Sequence, residues 1–581
     1  MKSLTELWQV LARECASECC ISIDRDIKTV SDRVKHEGDQ FLTITLPDYC
    51  SGFERALELG QVTPDLFPSF RGRGGLPAFL SGFLELVFDK HTGFIRCDAS
   101  PLAVGFIRQL TLFFKKIEVE CTDLRKARAL KRYVDCEVEL TDVEARLTDQ
   151  DYSRFAIQGR ILFGDVFDHM NQVVSRFMLD PAHGPGSTAD KLVGNQKFAL
   201  NYWHERMESV FPFGEYVLPN MSAANSLSWT YDSICPEDEL PVEVTLVPKT
   251  QKTPRIIAME PTAVQYMQQA LMRNLVTLLE TDPITSPLVG FSDQEPNREF
   301  ARKGSLGEGY ATLDLSEASD RVLNSLIVEM LRPWPDLLDA IQACRSTVAV
   351  LPNGERVTLR KFASMGSALC FPIEEIAFLT IILVGLQSSH GGTLSRGDIF
   401  NLHGKVRVYG DDIIVPIDMV QATIEALQTY GLRVNASKSF WNGKFRESCG
   451  GDYFDGEWVT PVRLKREPPR SRGDQSSIIS LMETSNLLYK AGYWKTSRFI
   501  LDLLQSIGYG HKVVPDGVGA VAPITFQRIL EGDIWDSDLQ QWMIITHVKR
   551  AVIPNNGIDG LPALRKSLAG DFMDPLFRDH L

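Results

Sequence analysis

The chain has no surplus of positive charge. Its 581 residues carry 61 Lys and Arg against 75 Asp and Glu, a formal net charge of −14, which argues against a protein that coats nucleic acid through its overall field. A local basic channel stays compatible with that balance. Long apolar runs are also missing. The longest, "IAFLTIILVGL" at 376–386, falls short of the ~20 residues that cross a bilayer and follows two glutamates, so a buried helix is expected. The eleven cysteines show no paired spacing. Their one cluster, Cys15, Cys19 and Cys20, has no histidine close by, which favours reduced thiols in a cytosolic protein over zinc or a disulfide framework. There is no low-complexity tract and no internal repeat. The N-terminal "MKSLTELWQVLARE" lacks the charged-then-apolar order of a signal peptide and reads as an amphipathic helix.

The length predicts three or four domains or subdomains. Residues 1–240 mix amphipathic helical patterns with two Gly-rich loops, "RGRGGLP" and "HGPGSTAD". Residues 241–455 alternate strand, turn and helix signals more densely. After "EPPRSRGD" the pattern turns mainly helical. Two basic clusters stand out: "LRKARALKRY" (124–133), whose plain reading is a solvated helix face, and "RLKREPPRSR" (463–472), an exposed loop or linker.

Against that background, "KVRVYGDDIIVP" (405–416) places Asp411 and Asp412 between two β-branched runs. Val406 and Val408 alternate with Lys405 and Arg407 as in a half-buried strand, Ile413 to Val415 supply the return, and Gly410 permits the turn. Two adjacent carboxylates repel and lose hydration on burial, a cost that a hard divalent cation with oxygen ligands relieves. The plainer reading is a polar hairpin tip in water. A third carboxylate decides between them, and "GYATLDLSEASDRVLNSLIVEML" (309–331) offers one. Ala311 to Leu315 read as a short strand with Asp314 near its end. Ser316 or Ser319 can cap a following helix whose apolar positions are Val322, Leu323, Leu326, Ile327 and Met330. Asp314 with Asp411 and Asp412 can complete a two-metal site for in-line phosphoryl transfer.

Three further stretches suit the same chemistry. "VTLVPKTQKTPRIIAMEP" spaces Lys249, Lys252 and Arg255 by three residues, cations fit to hold a triphosphate or simply a solvated basic strand. "KFASMGSALCFPIEE" runs a small-residue loop into the apolar helix; Ser364 and Gly366 there allow close backbone approach to a ribose or phosphate. "NASKSF" presents Lys438, a candidate general acid for a leaving pyrophosphate.

In this order the stretches resemble the palm-domain motifs of RNA-dependent RNA polymerases. "PKTQKTPR" looks like the finger motif, and "DLSEASD", "SMGSALCFPIEE", "YGDD", "NASKSF" and "FRESCGGDYF" like the five palm motifs. The wording is closest to the replicase beta subunits of positive-strand RNA bacteriophages, the leviviruses typified by Qβ and MS2, over roughly residues 183–460. That resemblance implies an α+β right-hand fold: an N-terminal region and fingers at 1–240, a palm at 241–455, and a helical thumb with the C-terminal region at 456–581. It implies that Asp314, Asp411 and Asp412 bind two catalytic Mg²⁺ ions, with Mn²⁺ as a possible substitute. Lys249, Lys252 and Arg255 would contact the NTP phosphates, Ser364 and Gly366 the template or ribose, and Asp320 becomes a candidate ribose contact. Here the sequence departs from the common viral pattern. Position 319 is Ser, the aspartate comes one residue later at Asp320, and Glu374 and Glu375 fill the region where an asparagine is usual.

The resemblance further implies template and product RNA and NTPs as ligands. Host elongation factors Tu and Ts and ribosomal protein S1 would be partners, no membrane is involved, and the site of action is the bacterial cytoplasm. Rival expectations are a reverse transcriptase, a metal-dependent nuclease, and a non-catalytic RNA-binding subunit that keeps a palm fold.

Overall fold

The computed structural model describes residues 4–218, 231–510, 512–526, 532–550 and 557–571. The architecture is α+β. At its centre lies a four-stranded antiparallel sheet in the order Arg407–Tyr409, Asp412–Pro416, Tyr310–Ser316, Arg433–Val434. Ile413, Ile414 and Val415 are fully buried, so this sheet is covered on both faces, which is why its central residues are almost uniformly β-branched or apolar. The apolar helix Cys370–His390 packs beside it and against Val420–Thr429. It is a core helix, as the sequence predicts: most of its Cys370–Ser388 window is buried.

A second sheet stands next to the first. The hairpin Val242–Val247/Arg255–Met259 is antiparallel, and its first strand pairs in parallel with Val348–Val350, itself paired with Arg356–Thr358. The helix Asp123–Arg146 braces both sheets. It adds Tyr133 to the small core under the hairpin, and Leu140 and Val143 to the large central core.

The apolar cores cut across the boundaries expected at 240 and 455. One cluster joins residues between Leu140 and Leu432, so the 140–217 helices share the core of the central sheet. Another unites the N-terminal helices with the segments after 440, through Trp8, Phe53, Phe445, Leu481 and Leu504. Polar contacts seal that union. The Glu14 carboxylate accepts the backbone N–H of Lys495 and Thr496 at 2.7 and 2.8 Å, and the buried Arg108 lies 2.6 Å from Asp452.

Two local expectations need correction. Neither Ser316 nor Ser319 caps a helix: the strand runs through Ser316, a short turn follows, and the helix is Asn324–Leu331. Glu317 takes a left-handed backbone conformation (φ +57°), and Arg321, bonded to Glu139 at 2.5 Å and Glu317 at 2.9 Å, pins the intervening turn. The predicted apolar positions 322, 323, 326, 327 and 330 are nonetheless all buried. Nor is the strand before Gly410 half-buried, because Arg407 also points inward. Its donors are satisfied there by hydrogen bonds to Asn297 Oδ1 and to the carbonyls of Ser286 and Pro287.

Candidate active site

The acidic hairpin is held from beneath. Gly410 sits at φ +57°, and a Cβ there would come within 2.6 Å of the Phe371 ring. Its N–H donates to Glu375 Oε1 at 2.7 Å, while Glu375 Oε2 accepts the Gly290 N–H at 3.3 Å. Glu375 thus serves the turn from the core helix. The register of the sheet pairs Asp412 directly with Asp314. Opposed residues of an antiparallel pair project from the same face a few ångströms apart. The carboxylate 98 positions before Asp412 therefore meets the hairpin tip, with Asp411 exposed beside it.

Burial and like charge act together on these acids. Asp412 is pushed up to about 7, first by burial and then by the charges of Asp411, Glu447 and Asp314. Burial also raises Asp314, offset in part by Lys438. Asp314 Oδ1 accepts from Lys438 Nζ at 3.1 Å and Oδ2 from Asn435 Nδ2 at 2.8 Å. The backbone N–H of Asp314 donates to Ser439 Oγ at 3.1 Å, so the "NASKSF" segment wraps the end of the strand. Burial opposes the Lys438 charge, but Asp314, Glu447 and Asp411 outweigh it and hold its pKa above the ordinary lysine value. Lys438, the general acid expected from the sequence, is here the electrostatic partner of Asp314.

The donor chemistry fits a hard divalent cation. Asp314 and Asp412 share a face, Asp411 adjoins them, and their mutual repulsion is the cost such an ion relieves. Among the described residues no trio of His, Cys, Asp or Glu is already drawn together as an ion cage; in its place the Lys438 ammonium lies on Asp314. Glu447, on the strand Phe445–Ser448, is a fourth carboxylate in this field that sequence reasoning missed. Its only signal was its place in the "FRESCG" phrase.

The basic segment divides. Lys249 and Arg255 flank the hairpin turn. The pKa of Lys249 is lowered by burial, then by Arg255 and Lys438, while Asp411 and Asp314 pull the other way, so it borders the carboxylates. Lys252 goes elsewhere, pairing with Asp48 of the helix Leu46–Leu59 at 2.8 Å. Lys116, which the sequence did not single out, and Arg463, the first residue of the basic cluster 463–472, act on the same region: burial, then Arg463, Lys249, Lys115 and Arg255, pull Lys116 down to about 8.

Asp320 is engaged by the fully buried Lys361, with Nζ to Oδ1 at 2.9 Å; the same ammonium lies 3.1 Å from Glu137 Oε1 and 3.5 Å from the centre of the Tyr133 ring. The Tyr133 hydroxyl and Ser364 Oγ are 3.0 Å apart, which fixes Ser364, itself buried. Gly366 (φ +135°) is close to backbone, but to the chain's own: an added Cβ would collide with the carbonyl of Ala258, whose N–H donates to Met365 O at 2.8 Å. The glycine seats the 364–367 loop on the basic hairpin. Buried Glu374 faces this region too; its pKa is pushed up to about 8, chiefly by burial, with Asp411 and Asp320 adding to it.

The site is thus an antiparallel sheet that presents paired aspartates beside a cation-bearing hairpin. Residues 237–489 match the family described as RNA replicase, beta-chain. The chain is 30% identical over 349 residues to the RNA-directed RNA polymerase subunit beta of Qbeta virus (strain MX1), covering 58% of this chain and 53% of that one. It is 34% identical over 238 residues to that of Enterobacteria phage SP (40% and 38% covered) and 31% over 223 residues to the beta chain of Escherichia phage MS2 (38% and 37%). Among solved structures, an RNA-dependent RNA polymerase of a human picorbirnavirus overlaps 45% of this chain at a TM-score of 0.32 and 13% identity. Over these residues the chain is similar to the RNA replicase beta chains of RNA phages. It spans about half the length, or less, of the curated relatives it matches.

Proposed function

We propose that the chain is an RNA-directed RNA polymerase that copies single-stranded phage RNA from NTPs. The observation that carries this reading is the register of Asp314 against Asp412 at the tip that also bears Asp411. The kinship of residues 237–489 with replicase beta chains supports it. Asp314, Asp411 and Asp412 are the residues that would hold two Mg²⁺ ions, or Mn²⁺ in their place. Such ions, when bound, activate the attacking 3′-hydroxyl and offset charge on the triphosphate.

The chain's own residues do the rest. Glu375 fixes the hairpin tip through Gly410, and Asn435 orients the Asp314 carboxylate. Lys438 neutralises Asp314 until a cation competes for it. Lys249 and Arg255 attract the triphosphate toward the acids. Ser364, Gly366 and Asp320 form the wall next to the ribose, with Asp320 held in place by Lys361. Base pairing selects the nucleotide, so the protein needs to sense only backbone and ribose.

In this reading 1–240 forms the N-terminal region and fingers, 241–455 the palm, and 456–581 the thumb and C-terminal region. The shared core of the first and last segments closes the hand behind the palm. By kinship, elongation factors Tu and Ts and ribosomal protein S1 are the proposed host partners, and the bacterial cytoplasm the place of action. The test is incubation of the purified chain, alone and with bacterial extract, with Mg²⁺, a template RNA and labelled NTPs. Template-length RNA is expected, and Asp411→Ala should abolish it without altering the fold, since Asp411 is exposed. Shortened template would mark a nuclease, DNA product a reverse transcriptase, and bound but unchanged RNA a non-catalytic subunit.

A further inference from the structure

The helix Thr262–Thr281 carries a glutamine on a face that is otherwise apolar. Gln268 is buried, and it shares that face with the buried Val264, Leu271 and Leu275. A buried amide has to find partners for both its ends. Here Nε2 donates to Cys344 O at 2.8 Å, and Oε1 accepts the Ala368 N–H at 3.1 Å. Only one orientation of the amide meets an acceptor at one end and a donor at the other, so the two bonds define it. Gln265, one turn earlier, reaches the same loop at Gly366, its Nε2 lying 3.5 Å from that carbonyl.

The loop so held joins two parts of the proposed site. Ser364 and Gly366 stand next to the ribose in that reading. Two residues after Ala368 begins the helix Cys370–His390, whose Glu375 accepts the Gly410 N–H. The backbone of the loop is tied by the Ser367 N–H to Ser364 O and the Cys370 N–H to Ser367 O, both at 3.2 Å, and by Met365 O, which accepts the Ala258 N–H at 2.8 Å. Beneath it lies a cavity of about 10 Å³, room for at most one water, lined in part by Glu260, Gln268, Ser346, Ser364 and Ser367. Ser346 Oγ donates to Glu260 Oε2 at 2.5 Å, which makes the floor of the cavity a fixed polar shelf. A loop set over a polar gap takes its height from hydrogen bonds more than from side-chain packing. Gln268 is the side chain of that shelf that bonds the loop backbone.

We infer that Gln268 is a positioning residue: it fixes the height of the 364–368 loop and, through it, the fit of the nucleotide's ribose. The ribose half of this rests on the polymerase reading; the hold on the loop does not. Two measurements on the full chain separate them. Hydrogen exchange read by mass spectrometry reports the loop amides. Incorporation of an NTP against its 2′-deoxy analogue, on a template RNA with Mg²⁺, reports the ribose. Gln268→Met, which keeps the length of the side chain and removes both bonds, should speed exchange within 364–369 about tenfold. It should raise the KM for NTP and cut the preference over the deoxy analogue about fivefold, with kcat within about twofold of wild type. Gln109→Met is the structural control. That buried glutamine of the helix Pro101–Leu112 makes the same pair of bonds, to Val462 O and from the Val462 N–H, both at 2.9 Å. Its loss should lower the melting temperature and leave both readouts unchanged.

Unchanged exchange within 364–369 in Gln268→Met overturns the inference. So does an equal loss of ribose preference in Gln109→Met, which would mark a general effect of destabilisation. Should Gln268→Met not fold, Gln265→Met, at a half-buried position, loosens the loop at Gly366 and carries the same two measurements. If exchange rises yet the wild-type chain makes no RNA, the polymerase reading fails and the hold on the loop stands. If the wild type makes RNA and exchange rises, but KM and ribose preference keep their wild-type values, the positioning role fails alone.

Discussion

Lys361→Met removes the cation that ties the helix Asp123–Arg146 to the turn at Asp320 and the loop at Ser364. The side chain is inaccessible to solvent, with two carboxylates at 2.9 and 3.1 Å and an aromatic ring at 3.5 Å. Methionine keeps the packing volume but leaves Asp320 and Glu137 without the ammonium between them. Taking one partner from a buried ion pair costs about 3–5 kcal/mol, because the remaining charge stays desolvated; the lost cation–π contact adds roughly 1 kcal/mol. Urea unfolding followed by tryptophan fluorescence reads the cost as a lower midpoint at unchanged slope.

Adding Glu137→Gln and Asp320→Asn to the methionine variant should recover most of the loss, because neutral groups no longer need the ammonium. A single variant within about 1 kcal/mol of wild type, the range of a surface pair, would refute the reasoning, as would a triple variant no more stable than the single. Tyr133→Phe is the milder companion. It removes only the hydroxyl that meets Ser364, should cost about 1 kcal/mol, and should change the apparent KM for NTP more than the melting temperature.

Gly366→Ala should lower the melting temperature sharply, because its Cβ would meet the Ala258 carbonyl and φ is +135°; an unaltered calorimetric transition would contradict that placement. The Glu374 carboxyl, with a folded pKa of about 8 against an ordinary 4.5, keeps its proton more firmly in the folded state. Its stabilising effect is therefore complete below about pH 4.5 and lost as pH rises toward 8. Glu374→Gln should flatten that part of the melting-temperature profile, and a profile identical to wild type would count against it. Lys252→Ala, which breaks an ion pair with both side chains more than half exposed, should change stability by less than about 1 kcal/mol. It should leave the KM for NTP nearly unchanged while Lys249→Ala raises it; equal effects of the two would overturn the division of the basic segment.

What could be read from the sequence was local. The turn at Gly410, the β-branched flanks of the acidic hairpin, and the strand ending near Asp314 follow from residue types over a few positions, and so does the buried helix after Ser367. The convergence of those pieces came from the order of the phrases rather than from any one of them. Lys116 and Glu447 escaped notice, and Arg463 was read only as part of an exposed basic loop, because each owes its place to contacts between segments hundreds of residues apart, as when Leu464 bonds to Phe113. The same long-range packing sends Lys252 to Asp48 and turns Lys438 onto Asp314. Regular spacing along "PKTQKTPR" could not foresee it, because a turn between two strands points successive cations in different directions. The union of the first and last segments in one core was invisible for a related reason: composition marks where a chain is apolar, not which apolar face it meets.

Asp314→Asn is the most direct test of the whole account, since it changes one atom of the strand that brings the distant acid to the hairpin. The account predicts no template-length RNA from this variant under conditions where the wild-type chain makes it, with the melting temperature preserved. Elongation at the wild-type rate by a folded Asp314→Asn chain would contradict it.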